Sequence, residues 1–129
     1  MSRRRISSGT PFEDLASFSR AVVDGEMVYV SGTTGMDRAS GTFPDDAAEQ
    51  TRLALGHVEA ALSEAGAGLA EVLRVVVYIA DRADLMAVCE VIGEAFAAIR
   101  PANTTVIAAL ALAGMKVEIE VTARIGSAG

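Results

Sequence analysis

The feature that most constrains this chain is the run Val72–Ala80 (VLRVVVYIA), apolar throughout except for Arg74. A strand that alternates apolar and polar residues keeps one face in water, whereas a continuous apolar run has to be covered on both. Thr104 to Leu112 reads as a second strand of the same kind. At 129 residues the chain is long enough for one well-buried domain and too short for two. Helices laid on one side of a sheet would leave the other side of these strands bare, so loops or another subunit must cover it. A closed homo-oligomer is the simpler cover for so short a chain.

The remaining segments supply the helices and the other strands. A weak strand lies near Ile6 in a polar lead-in, and Gly9, Thr10 and Pro11 mark a loop. Ala21-Val22-Val23 and Met27-Val28-Tyr29-Val30 flank Asp24-Gly25, which predicts a hairpin with a type I′ turn on those two residues. Residues 32–46, rich in Gly, Thr, Ser, Asp and Pro, read as a loop. A helix is predicted from Asp46, whose spacing to Glu49 resembles a capping box. Leu55, Val58, Leu62 and Ala65 form its apolar face, and Gly66 and Gly68 end it. A second helix begins at Asp81 or Asp84, carries the stripe Leu85, Val88, Cys89, Ile92 and Phe96, and stops before Pro101. From Lys116 to Ile125 the alternation is clean, with Val117, Ile119, Val121, Ala123 and Ile125 on one side and Lys116, Glu118, Glu120, Thr122 and Arg124 on the other. The order β-β-β-α-β-α-β-β over one domain, residues 1–129, predicts an α+β fold with two helices on one face of a mixed sheet.

Composition narrows the function classes. A hydrophobic fraction of 51% excludes a disordered chain. A net charge of −6 repels phosphate backbones, so no nucleic-acid partner is expected. Arg3-Arg4-Arg5 is too short for a nucleic-acid arm, and no apolar run follows it as in a signal peptide. No segment approaches the roughly 20 apolar residues of a membrane span. One cysteine, Cys89, excludes an intramolecular disulfide and the usual cysteine zinc sites. The expectation is a soluble, cytoplasmic protein without a metal.

Few residues suggest chemistry. His57, the one histidine, stands mid-helix outside any nucleophile motif and reads as a helix-flank residue. Cys89 falls on an apolar stripe and reads as core packing. Phosphate-loop, dinucleotide and zinc-protease motifs are absent. Glu118 and Glu120 share one strand face. In open solvent they would be ordinary, but under a neighbouring subunit a carboxylate there could hold and polarise a water for attack on an unsaturated carbon. The segments Arg100–Thr105 and Ser31–Gly35 could offer donors and close backbone approach to a small ligand, or be plain turns.

Taken in order, these segments resemble the Rid (reactive intermediate deaminase, YjgF-like) family. The match runs through Phe18-Ser19-Arg20-Ala21-Val22, Val28-Tyr29-Val30-Ser31-Gly32-Thr33, Glu49-Gln50-Thr51-Arg52, Ala65-Gly66-Ala67, Val75-Val76-Val77-Tyr78, Arg100-Pro101-Ala102 and Val117-Glu118-Ile119-Glu120. It covers the chain from about Ser17 to Ile125. The resemblance implies a chorismate-mutase-like α+β subunit (bacillar type), a homotrimer with apolar sheets inward, and small-molecule clefts between subunits. It implies cofactor-free hydrolysis of enamine or 2-imino acid metabolites to carbonyl products and ammonia.

Carried over by position, the resemblance makes Glu118 the water-positioning catalytic residue. It makes Phe18, Gly32, Thr33, Thr105 and the residues at 103 and 89 substrate-binding. Two of these depart from the family pattern. The carboxylate-binding arginine after Pro-Ala is Asn103, and Cys89 stands where many members carry asparagine. Asn offers a neutral amide in place of a charged fork, a loss of about 1–2 kcal/mol. Either another arginine (Arg20, Arg100 or Arg124) compensates, or the ligand is not a simple acid. The alternative to an enzyme is a non-catalytic, ligand-binding or regulatory trimer.

Overall fold

A computed structural model describes residues 3–128. One sheet of six strands runs through it: β1 (Arg3–Ile6), β2 (Ala21–Asp24), β3 (Met27–Thr34), β4 (Val72–Ile79), β5 (Ala102–Ile107) and β6 (Val117–Arg124). Their spatial order is β1-β2-β3-β6-β4-β5. β4 and β5 are parallel, and every other neighbouring pair is antiparallel. The helices are α1 (Pro11–Leu15), α2 (Ala47–Glu64) and α3 (Leu85–Ala95). The expected α+β architecture, with the two long helices on one face, is the one observed. Among the described residues no helix is long and apolar enough to cross a membrane.

The core lies between α2, α3 and the inward face of the sheet. Leu62 and Val58 of α2 and Val88 of α3 pack with Val75, Val77 and Ile79 of β4 and Val117 and Ile119 of β6, all essentially inaccessible to solvent. Each such side chain contributes about 1.5–3 kcal/mol by leaving water. Asp46 starts α2 as read from the sequence, its carboxylate accepting the Glu49 amide at 3.0 Å. Gly66, at φ +85°, ends it. The alternation of β6 is realised in full: Val117, Ile119, Val121 and Ala123 are buried, and Glu118, Glu120 and Thr122 face the other way, half-buried.

Several details differ from the sequence reading. The hairpin turn sits one residue later: Asp24 pairs with Met27, so Gly25 and Glu26 are the turn, and only Gly25 takes positive φ. That is the type II′ pattern, with glycine at the first central position. Pro11 starts the short helix α1, where a loop was expected, because five residues are too few to show a period. β3 extends to Thr34, so Gly32 and Thr33 belong to a strand. β5 begins at Ala102 and ends at Ile107, well before Leu112. Cys89 is exposed, not packed in the core, because the buried stripe of α3 follows Val88, Val91 and Ile92. The two-sided burial expected for β4 and β5 is not completed within one chain: Val76 and Tyr78 are half-buried, and all six residues of β5 are exposed.

Candidate active site

Strand register brings the polar residues of the uncovered sheet face together. Glu118 on β6 pairs with Thr34 of β3 on one side and Tyr78 of β4 on the other. Between Val30 and Thr33 the register of β3 slips, so that Ser31 and Gly32 together stand opposite Glu120 as a β-bulge. The bulge is tied down locally. The Ser31 hydroxyl donates to the Ser19 carbonyl at 2.7 Å, and the Thr33 hydroxyl donates to the Ser31 carbonyl at 2.8 Å. Gly32 leaves room for the acid: a Cβ placed on it would stand 2.8 Å from the Glu118 Cδ and 2.9 Å from Oε2.

The guanidinium of Arg20 completes this side. Arg20 is only 7% exposed, and its Nη2 donates to the Gly32 carbonyl at 2.5 Å. Its Cζ lies 5.8 Å from the centroid of the exposed Phe18 ring, within cation–π range. Burial pulls the Arg20 pKa below its ordinary value, Glu13 and Glu118 pull it back up, and Arg38 depresses it further. Glu118 responds in the opposite sense. Burial raises its pKa, Arg20 opposes that rise, and neighbouring Glu120 adds to it. Glu120 accepts a very short hydrogen bond from the Tyr78 hydroxyl, the main reason the Tyr78 pKa rises.

The other residues singled out from the sequence lie elsewhere. Asn103 and Thr105 pair with Val75 and Val77, so their side chains share the helix-covered side of the sheet. There the Thr105 hydroxyl donates to Asn103 Oδ1 at 2.8 Å. Asn103 lines a groove of about 340 Å³ with Val75, Ile92, Phe96 and Arg100, the last in a left-handed conformation at φ +53°. Cys89 is exposed on α3. One chain therefore brings Phe18, Arg20, Gly32 and Glu118 together, and holds Asn103 and Thr105 on the opposite face of the sheet at its β5 edge. The Thr33 side chain is fully buried, which leaves only its backbone near the bulge. Arg124 ends β6, six residues and about 20 Å from Glu118. His57 Nε2 donates to the Met36 carbonyl at 2.8 Å, as befits a helix-flank histidine. Neither Thr34 nor Tyr78 was singled out from the sequence as a neighbour of Glu118, since only register makes them so.

The sequence profile of the family described as Endoribonuclease L-PSP matches residues 10–125. The chain belongs to this family, that of the YjgF/Rid proteins. The crystal structure of Rv2704 from Mycobacterium tuberculosis, a member of the YjgF/YER057c/UK114 family, superposes with a TM-score of 0.87 at 43% identity, covering 96% of this chain and 100% of that one. The 2-iminobutanoate/2-iminopropanoate deaminase of Capra hircus is 34% identical over 94% of this chain and 89% of its own length. The RutC family protein UK114 of Drosophila melanogaster is 34% identical over 97% of this chain and 91% of its own. Asn103 belongs to strand β5, where the sequence reading placed it in a loop before the strand.

Proposed function

We propose that this Rid family member hydrolyses the C=N bond of a reactive enamine or imine metabolite, of 2-imino acid type, without a cofactor, in the cytoplasm. The observation that carries the reading is Glu118: a half-buried carboxylate with a raised pKa, packed on a glycine bulge at the uncovered face of the sheet. A carboxylate in that state accepts a proton from water as the water oxygen bonds to the imine carbon. The proton passes to nitrogen to give a tetrahedral carbinolamine; the adduct's hydroxyl then gives its own proton, by way of the carboxylate, to the nitrogen as the C–N bond breaks, and ammonia leaves as the carbonyl forms.

The same reading assigns the uncovered face to assembly. Half-buried Val76 and Tyr78 and exposed Val106 form an apolar surface that a homotrimer would bury. Subunits so arranged would bring the Glu118 side of one chain toward the Asn103 and Thr105 edge of the next, making a cleft from two halves. Keto-acid release from enzymatically generated 2-iminobutanoate, followed for the wild type and Glu118→Ala, tests the chemistry. Wild-type turnover that the substitution abolishes supports it, and a wild type no faster than buffer rejects it. Asn103 favours a second reading, a trimer that binds such metabolites without converting them; saturable binding with no turnover would select it.

A further inference from the structure

We infer that Arg20 is the anion anchor of the Glu118 pocket, the group that receives the carboxylate end of the substrate; this rests on the reading of the pocket as a small-molecule site. Three observations require an anion from outside the chain. First, Arg20 is a permanently charged group taken almost wholly out of water, and such burial is costly without a counter-ion. Second, no carboxylate reaches it. Among the described residues the one ion pair is Lys116–Asp84 at 3.8 Å. The nearby Glu13 has its oxygens occupied by Ser7, Ser8 and Thr10, and Glu118 acts on Arg20 only through space. Third, two of its three nitrogens are idle. Nη2 serves the Gly32 carbonyl, Nε is enclosed with no partner, and Nη1 has no partner among the described residues and is not enclosed.

The surroundings agree. Arg38 adds positive charge nearby, and the Phe18 ring lies over the guanidinium carbon at 5.8 Å. A carboxylate docked on the accessible Nη1 would neutralise the buried cation. It would also hold the carbon next to that carboxylate beside Glu118, which packs on the same Gly32. Position 103, a neutral amide, is thereby relieved of anion recognition.

The test compares 2-oxobutanoate with its uncharged methyl ester by titration calorimetry, on wild type, Arg20→Gln and Arg20→Lys, each checked for a native melt. Wild type should prefer the acid by about tenfold or more, the Gln variant should lose that preference, and the Lys variant should keep part of it. The Arg20 Nε–H resonance of wild type should shift with the acid and not with the ester, which decides the matter even if the Gln variant fails to fold. A wild type that does not distinguish the two compounds, a folded Gln variant that still does, or an unmoved resonance overturns the inference. Preference without any imine turnover would leave Arg20 in this role and reject the deaminase reading. Glu118-dependent turnover with the preference intact in Arg20→Gln would do the reverse.

Discussion

Gly32 and Glu118 touch across the β3–β6 ladder so closely that the acid's Cδ stands 2.8 Å from where a Cβ of residue 32 would be. Gly32 does not adopt positive φ, so a side chain here would meet the Glu118 side chain and no backbone strain. In Gly32→Ala the flexible Glu118 side chain yields. Stability should fall by less than about 1 kcal/mol, because only the tip of one side chain is displaced. Turnover should fall by about 10- to 100-fold, the cost of misplacing a reacting group by a fraction of an ångström to an ångström. Parallel thermal melts and imine-hydrolysis assays check the separation of the two effects.

Glu118 must be ionised to act as base, and its pKa is raised by burial and by Glu120. The acidic limb of kcat/KM should therefore lie above the ordinary carboxylate range. Glu120→Gln keeps an acceptor for the Tyr78 hydroxyl but removes the repelling charge, so the limb should move to lower pH. Arg20→Gln should move it higher. Stability follows the same shift: a carboxyl whose pKa is raised on folding contributes most while protonated, below its unfolded pKa, and that contribution is lost as pH rises through the folded value. Glu118→Gln should accordingly gain in Tm relative to wild type as pH rises across that limb.

Glu13 shows the opposite linkage. It is 4% exposed and accepts from the Ser7 hydroxyl and from the amides and hydroxyls of Ser8 and Thr10. Burial raises its pKa, but the bonds from Ser8 and Thr10 outweigh this and bring it from 4.5 to about 2. The lowered pKa contributes about 3 kcal/mol of stability, full above the unfolded pKa and lost as pH falls through the folded one. Glu13→Gln should be less stable than wild type at neutral pH by about 2–3 kcal/mol, and the two should converge near pH 2 in urea titrations.

Two glycines should respond to alanine in opposite directions. A Cβ on Gly35 would stand 2.2 Å from the Gln50 carbonyl oxygen. Gln50 cannot retreat: its amide nitrogen donates to the carbonyls of Pro44 at 2.6 Å and Gly114 at 2.8 Å, and its oxygen accepts the Lys116 amide at 2.9 Å. Gly35→Ala should cost about 3 kcal/mol or more. Gly56, exposed within α2, has nothing within 4 Å of where a methyl group would stand, and Gly56→Ala should stabilise by about 0.5–1 kcal/mol. Chemical denaturation of both variants checks the pair.

The sequence by itself determined which residues turn inward. The period of two in Val117–Ala123 and the helical spacing of Leu55, Val58 and Leu62 are local properties, set by backbone geometry and the removal of apolar surface from water. The Asp46 cap and the stop at Gly66 were legible for the same reason. Cys89 was misplaced because neighbouring positions on a helix stripe differ by only a small rotation, and packing against α2 chose Val88, Val91 and Ile92. Tertiary structure alone decided what stands beside Glu118. Placing β6 between β3 and β4 set Thr34, Tyr78 and the Gly32 bulge around it, and kept Asn103 on the far side of the sheet. Register between strands distant in sequence is fixed by the summed fit of whole faces, and no local pattern encodes which residues that fit will make neighbours.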